Sequence, residues 1–197
     1  MFTILRLLFH CSFIKSIFQK QDTFTLKAKR CCIFYNEENI LIPCLHFTSN
    51  GFMYFGDPMQ LISQSVSSET LGNTVLKIIE ECHINNTLND DDSDKSVRLL
   101  LKRAGVKSWK SLVTQWYRID VDYDIDNDSF DFNLYDSAKN GNYMGKSDSD
   151  WKRTLIHPTP TNVGETIHSM MSYYMKKRTD ETTEKRNRTK KRKNDKK

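Results

Sequence analysis

The stretch Trp116–Asp128, WYRIDVDYDIDND, alternates apolar and charged residues without interruption from residue 117 to residue 126. Successive side chains of a β-strand point to opposite faces, so the pattern predicts a strand with one buried face and one acidic face. After the polar turn at 126–129, Phe130, Phe132 and Leu134 alternate again with polar residues. The two segments therefore predict an antiparallel hairpin.

The acidic face carries Asp120, Asp122, Asp124 and Asp126. Alternate residues of a strand lie about 6.8 Å apart, and two carboxylates at that distance repel by roughly 0.6 kcal/mol in bulk water. Because a fold tolerates this cost, one interpretation is an ordinary solvated face. The other is a surface that binds a cationic protein, because complementary charge speeds encounter and rejects wrong partners.

A second acidic run, Asp90, Asp91 and Asp92, lies in the polar segment NNTLNDDDSD, which predicts a solvated loop. We rank these three residues after the strand carboxylates as candidates for partner binding. Neither run fits a calcium loop of the EF-hand type, because the required glycine at position 6 and glutamate at position 12 are missing from both. The sequence predicts no metal site and no other cofactor.

The charges are segregated along the chain. Residues 1–30 have a net charge of +5 and residues 176–197 one of +8, whereas residues 31–175 carry twelve Lys/Arg and twenty Asp/Glu, a net charge of −8. Such asymmetry bears on partners and solubility rather than on fold. The sequence therefore predicts an acidic body with basic ends.

The ends of the chain are predicted to lie outside the globular domain, which spans 24–175. Residues 1–23 form a hydrophobic extension that is too short and too charged for a transmembrane helix and lacks a signal-peptide cleavage site. An amphipathic helix, an unused upstream start and a membrane anchor are the other interpretations. Residues 176–197 contain no apolar side chain, which predicts a disordered tail. Its twelve cations could bind nucleic acid by counterion release or simply keep the protein in solution.

Helix signals surround the predicted hairpin. Ser67, Ser93 and Ser108 are candidate N-caps, Gly105 suits the position after a helix, and a last helix is predicted from about Asn162. The motifs LGNTV (71–75) and VGETI (163–167) place a glycine in the first turns of two amphipathic helices. Either the match is a coincidence or these glycines allow a close approach of each helix to a sheet, with the two helices side by side on one face.

Catalytic motifs are missing from the sequence. The five histidines have no metal-binding or catalytic spacing, since Cys44-x-His46 is only half of a zinc motif. The five cysteines form no C-x-x-C pair, which favours free thiols in a reducing compartment. We therefore expect a cytoplasmic protein without enzymatic activity, although an enzyme with an unrecognised site is a third alternative.

Several segments resemble a known family. They are a helix, SVSSETLGNTVLKIIEECH (65–83), a helix with the turn that follows it, LLLKRAGVKSWKSL (99–112), and a late helix, VGETIHSMM (163–171). The first two precede the predicted hairpin, and the third follows it. In these segments, and over roughly 52–175, the chain is similar to the immunity proteins of bacterial contact-dependent growth inhibition systems. The resemblance implies a cytoplasmic α/β protein that binds the C-terminal domain of a cognate toxin and blocks it.

Toxins of such systems are often nucleases, which tend to be basic, and this agrees with the acidic body. The family's contact residues differ between members, so the predicted binding residues depend on charge alone. The sequence thus predicts an α/β (α+β) domain with a mainly antiparallel sheet and helices packed on one face. Its predicted partner is a toxin domain, no membrane partner is expected, and the alternative function is nucleic-acid binding through the tail.

Overall fold

The structure is a computed structural model of the chain. It describes residues 28–48, 53–83, 90–137, 141–145 and 151–194, and their side chains except at 90–93 and 178–194. The strands are β1 (Ala28–Tyr35), β2 (Asn39–Phe47), β3 (Met53–Ser63), β4 (Tyr117–Asp124), β5 (Ser129–Ser137), β6 (Tyr143–Gly145) and β7 (Lys152–Ile156). The helices are α1 (Ser68–Glu80), α2 (Asp90–Arg103), α3 (Trp109–Gln115) and α4 (Pro160–Asn194).

The strands form one antiparallel sheet in the order β3-β2-β1-β4-β5-β6. One half of β5 pairs with β6, and the other half pairs with β7. The prediction of a mainly antiparallel sheet covered by helices is confirmed. The N-terminal extension lies outside the described residues, as does Asn50-Gly51, a dipeptide between two apolar runs that predicts a hairpin turn.

Helices cover both faces of the sheet, whereas the sequence predicts them on one face. The side chains of α1 and α4 pack on the first face, against residues such as Ile33 and Val121. Leu100 of α2 and Leu112 of α3 pack on the second face, against residues such as Phe34. The signal for two covered faces is the continuous apolar run of β1, where five successive residues, 31–35, are buried. Such runs are typical of strands that are buried on both sides.

Pro43 in the segment ILIP predicts the end of the second strand, and this prediction is wrong. β2 continues to Phe47, and its register with β3 shifts between Pro43 and Cys44. A bulge is one of the few places in a sheet that tolerates a proline, because proline donates no hydrogen bond to the neighbouring strand. Asp57-Pro58, which predicts a chain break, lies within β3 at this irregularity.

Three predicted helix boundaries are confirmed. The backbone amide of Thr70 donates to the Ser67 hydroxyl, and that of Ser111 donates to the Ser108 hydroxyl, each over 3.2 Å. Gly105 has a φ of +70° after α2, and the amide of Val106 donates to the carbonyl of Leu101 over 3.0 Å. This is the hydrogen-bond pattern of a helix that ends on a left-handed glycine.

Two helices begin earlier than predicted, and one ends later. α2 begins at Asp90 rather than after Ser93, since acidic residues favour the first turn of a helix. α4 begins at Pro160, where the amide of Asn162 donates to the Thr159 hydroxyl over 3.2 Å. Its helical backbone continues beyond residue 176 to Asn194, in the segment for which the sequence predicts disorder.

The two motif glycines bring α1 and α4 together. A Cβ atom on Gly72 would lie 1.7 Å from the carbonyl oxygen of Pro160, and one on Gly164 would lie 1.8 Å from that of Ser68. Each glycine therefore lies against the first residue of the other helix, in an antiparallel arrangement. The predicted side-by-side position of the two helices on one face is confirmed. The prediction that the glycines allow a close approach to the sheet is wrong, because the surface approached is the backbone of the other helix.

Candidate partner-binding surface

The predicted hairpin is formed by β4 and β5. Its apolar residues, including Ile119, Val121 and Phe132, are buried in the core under α1 and α4. The charged residues of β4 therefore face the second side of the sheet. In the register with β1, Asp120 lies beside Cys32, Asp122 beside Arg30 and Asp124 beside Ala28.

Asp120 is not available to a partner. Only 3% of its surface is exposed. Its carboxylate accepts hydrogen bonds from Nε and Nη2 of Arg118 over 2.5 and 2.8 Å, and one from the thiol of Cys32 over 3.1 Å. The guanidinium of Arg118 lies in turn 5.2 Å from the centroid of the Tyr135 ring. The ion pair is enclosed, so Asp120 has a structural role.

Asp122 is half-buried and forms an ion pair with Arg30 of the neighbouring strand. On its other side it lies directly opposite the exposed Asp131 of β5. Burial raises the pKa of Asp122 against the effect of Arg30, which lowers it. The Asp131 carboxylate accepts a hydrogen bond from the Thr154 hydroxyl over 2.6 Å. Two carboxylates thus lie directly opposite each other on neighbouring strands, an arrangement that is destabilising in a sheet.

Asp124 and Asp126 lie at the tip of the hairpin. The Asp124 carboxylate accepts hydrogen bonds from the amides of Asp126 and Asn127 and from the Asn127 side chain, over 2.7 to 3.2 Å. The bonds from Asn127 are the main cause of the lowered pKa of Asp124. Asp124 therefore holds the turn while it stays charged, and the exposed Asp126 extends into solvent.

Three further residues complete the tip. Asp128 accepts a hydrogen bond from Nδ1 of His157 over 2.7 Å, and this bond lowers the pKa of its carboxyl group. Ile125 is 41% exposed and Ile156, the last residue of β7, is 69% exposed. The tip thus offers apolar side chains surrounded by carboxylates, a composition that suits the edge of a protein interface.

The second predicted acidic run lies elsewhere. Asp90, Asp91 and Asp92 form the first turn of α2, and their side chains lie outside the described residues. Nothing in the described contacts brings them to the hairpin. Sequence reasoning also missed Asp131, although its position between Phe130 and Phe132 marks it as a residue of the polar face. We call Asp122, Asp124, Asp126 and Asp131 the acidic row.

A cavity lies apart from the acidic row, between the β1–β2 turn and α4, and Glu37, Ser65 and His168 are among its lining residues. Nδ1 of His168 lies 3.1 Å from the Ser68 hydroxyl, and its buried Nε2 has no hydrogen-bond partner. A serine nucleophile needs a base oriented by a third group, and this pair has no such group at Nε2. The contact serves the packing of α1 on α4.

Metal-binding side chains do not gather in the described part of the chain. Within those ranges, no three or more His, Cys, Asp or Glu side chains are arranged to hold a metal ion. None of the described helices is long and apolar enough to cross a membrane.

Comparisons with known proteins define the fold. No protein-family profile matches the chain, and no curated protein does. Among solved structures, a protein of unknown function from Neisseria meningitidis is similar with a TM-score of 0.59 and 17% identity, over 77% of this chain and 98% of that one. A chain of a CdiA-CT/CdiI toxin and immunity complex from Yersinia pseudotuberculosis is similar with a TM-score of 0.60 and 16% identity, over 75% of this chain and 97% of that one. The chain therefore shares its fold with a component of a toxin–immunity complex.

Proposed function

We propose that this chain is an immunity protein that binds a cognate protein toxin in a one-to-one complex and blocks it. The observation that carries the proposal is the fold match to a chain of a toxin and immunity complex, which extends over 97% of that chain. The family resemblance of the helix and turn motifs supports the same function independently of the coordinates. Such a protein acts in the cytoplasm by occlusion, so it needs a complementary surface and no catalytic group.

The charge distribution supports a basic toxin. The body carries a net charge of −8 over 31–175, and a nuclease domain that binds nucleic acid is itself basic. We therefore propose a contact-dependent growth inhibition toxin with nuclease activity as the partner. A specific complex of this kind buries about 1,600 Å² in total.

We propose the acidic row and the tip of the hairpin as the toxin-binding surface. Arg30 is paired with Asp122, and the exposed Asp131 lies directly opposite Asp122, so a lysine or arginine of the toxin would supply a counter-charge for Asp131. Asp126 and the exposed Ile125 and Ile156 would contact the same partner beside it. Asp120 is left out of this surface because its carboxylate is already bound inside the protein.

Growth rescue tests the proposed function. We expect the reading frame immediately upstream of this chain to encode the toxin exoprotein, and the probe is the C-terminal domain of that protein, expressed from an inducible promoter. We expect growth arrest when the domain is expressed alone and normal growth when the full chain is expressed with it. Arrest that persists in the presence of folded, soluble chain would contradict the proposal.

A charge-matched pair of variants tests the surface. Asp124→Asn, Asp126→Asn and Asp131→Asn together remove three carboxylates of the acidic row, and asparagine at 124 still accepts the two backbone-amide hydrogen bonds of the turn through its Oδ1 atom. The control removes three exposed carboxylates elsewhere, by Glu37→Gln, Glu69→Gln and Glu165→Gln.

Both triple variants change the net charge equally, so only position distinguishes them. We expect the first to slow association with the toxin domain roughly tenfold at low salt, because local complementary charge steers encounter. The difference in association rate between the two variants becomes smaller at high salt, because the Debye length falls to about 3 Å. Equal association rates for the two variants would refute the surface while leaving the proposed function intact.

A further inference from the structure

Two cysteine side chains lie against each other in the core between the sheet and α1. Cys44 belongs to β2, and Cys82 follows the end of α1. Their Sγ atoms are 3.1 Å apart, and the two residues are 0% and 3% exposed. A disulfide needs about 2.05 Å between the sulfur atoms, so a movement of roughly 1 Å would join them.

Backbone and side-chain contacts hold the pair in this position. The amide of Phe47 donates to the carbonyl of His83 over 3.1 Å, which fixes the segment after α1 along the end of β2. The thiol of Cys82 donates to the carbonyl of Arg30 in β1 over 3.0 Å. Both sulfur atoms are therefore positioned by the sheet itself, and their approach does not depend on a flexible loop.

His46 supplies a proton acceptor beside the pair. Its Nε2 lies 2.9 Å from the carbonyl oxygen of Asp57. A carbonyl oxygen only accepts, so Nε2 carries the proton and Nδ1 is left as an acceptor. Nδ1 lies 3.8 Å from the Sγ atom of Cys44. Burial lowers the pKa of His46, which favours the neutral ring.

We propose that Cys44 and Cys82 are an oxidation site at which a hydroperoxide converts the two thiols into an intramolecular disulfide. The proposal is independent of the proposed function. Cys82 is the attacking residue, since its contact with Cys44 lowers its pKa, whereas the same contact and burial raise the pKa of Cys44.

The reaction has two steps. The Cys82 thiolate attacks one oxygen of hydrogen peroxide, the O–O bond breaks, and a sulfenic acid forms while hydroxide leaves and takes up the proton from Cys82 to give water. The sulfur of Cys44 then attacks the sulfur of Cys82 and its proton passes to His46. The S–O bond breaks, and the departing hydroxide takes this proton to give a second water. Two thiols lose two electrons and two protons, and one peroxide is reduced to two waters.

The new bond would join β2 covalently to the end of α1. It closes a loop from residue 44 to residue 82, and a cross-link over a loop of this length restricts the unfolded chain considerably. We expect the melting temperature of the oxidised protein to be higher by on the order of 10 °C. In a reducing compartment the pair stays reduced until peroxide is present.

Peptide mapping tests the proposal on the full chain. The reduced protein is treated with hydrogen peroxide at neutral pH, free thiols are alkylated, and peptides are mapped by mass spectrometry without reduction. We expect a cross-linked peptide pair containing Cys44 and Cys82, a mass loss of about 2 Da for the two hydrogens, and recovery of both thiols after treatment with dithiothreitol.

Cys31 offers the sharpest control. It lies directly opposite Cys44 in the pairing of β1 and β2, but burial raises the pKa of its thiol well above the usual range. Cys31→Ser should leave the cross-link intact, and Cys82→Ser should abolish it. A link from Cys31 to either residue, sulfinic or sulfonic acids without a link, or unchanged thiols in folded protein would each overturn the proposal. The map of the unmutated chain decides this even if a variant fails to fold.

Discussion

Replacing Gly72 by alanine tests the packing of α1 on α4. The added Cβ would lie 1.7 Å from the carbonyl oxygen of Pro160 and 2.5 Å from its carbonyl carbon. Side-chain carbon atoms essentially never approach other atoms within 3.0 Å, so the helices must separate by more than 1 Å. Because the obstructing atoms belong to the backbone, no side-chain rotation relieves the clash.

The expected loss of stability follows from this separation. A gap of about 0.5–1 Å removes a quarter to a half of the energy of each dispersion contact. The side chains that would lose such contacts are buried in the same core: Leu71, Val75, Val163 and Ile167. Overpacking of this kind costs about 3 kcal/mol. The better helix propensity of alanine returns about 1 kcal/mol, which leaves Gly72→Ala destabilised by about 2 kcal/mol.

Urea denaturation measures this difference. Asn73→Ala is the control, because residue 73 is the exposed neighbour of Gly72 in the same helix and should gain at most about 0.5 kcal/mol from propensity. The double variant Gly72→Ala/Gly164→Ala should lose less than the sum of the single losses, since one separation of the helices makes room for both methyl groups. A Gly72→Ala protein as stable as the unmutated chain would refute the reasoning.

Three further predictions concern charge and the tail. Asp120→Ala leaves the buried guanidinium of Arg118 without its carboxylate and should cost about 3 kcal/mol in urea denaturation, whereas Asp126→Ala should stay within about 0.5 kcal/mol; equal losses would contradict the enclosed ion pair. The pKa of Asp128 is lower in the folded protein than in the unfolded chain. Its bond with His157 therefore stabilises the fold at a pH above the unfolded-state pKa of Asp128, and this contribution is lost as the pH falls through the folded-state pKa. The melting temperatures of the unmutated chain and of Asp128→Asn should therefore converge between about pH 5 and pH 3, and a constant difference would exclude this linkage. Deletion of residues 178–197 should change the affinity for the toxin domain less than about twofold, because encounter is governed by the acidic row; a large loss would place the tail in the interface.

Local patterns predict much of this fold. The alternation of apolar and polar residues at 117–126 and 130–134 is enough to predict the β4–β5 hairpin and its buried face, because successive side chains of a strand point to opposite faces. Ser67, Ser108 and Gly105 mark helix ends because the hydrogen bonds of their caps join residues only three to five positions apart. Pro43 misleads because the bulge that accommodates it depends on the neighbouring strand β3, which the local sequence does not reveal.

The environment of the acidic row depends on contacts that are distant in sequence. Asp120 and Asp122 look alike along β4, yet Asp120 is enclosed with Arg118 and Asp122 is paired with Arg30 of β1. The pairing of Arg30 with Asp122 joins residues 92 positions apart, and no periodicity in either strand indicates it. The apolar run at 31–35 indicates that β1 is covered on both faces, but the positions of α2 and α3 on the second face depend on the tertiary arrangement.

Titration of the purified full chain into the toxin domain, followed by calorimetry, tests the central claim most directly. The domain is the C-terminal domain of the expected toxin exoprotein, inactivated at its own active site so that it can be produced. We predict saturation at one chain per toxin domain with a nanomolar dissociation constant, as is typical of a standard-size specific interface. Folded chain that gives no binding heat across several temperatures, and that does not co-elute with the domain, would contradict the proposed function.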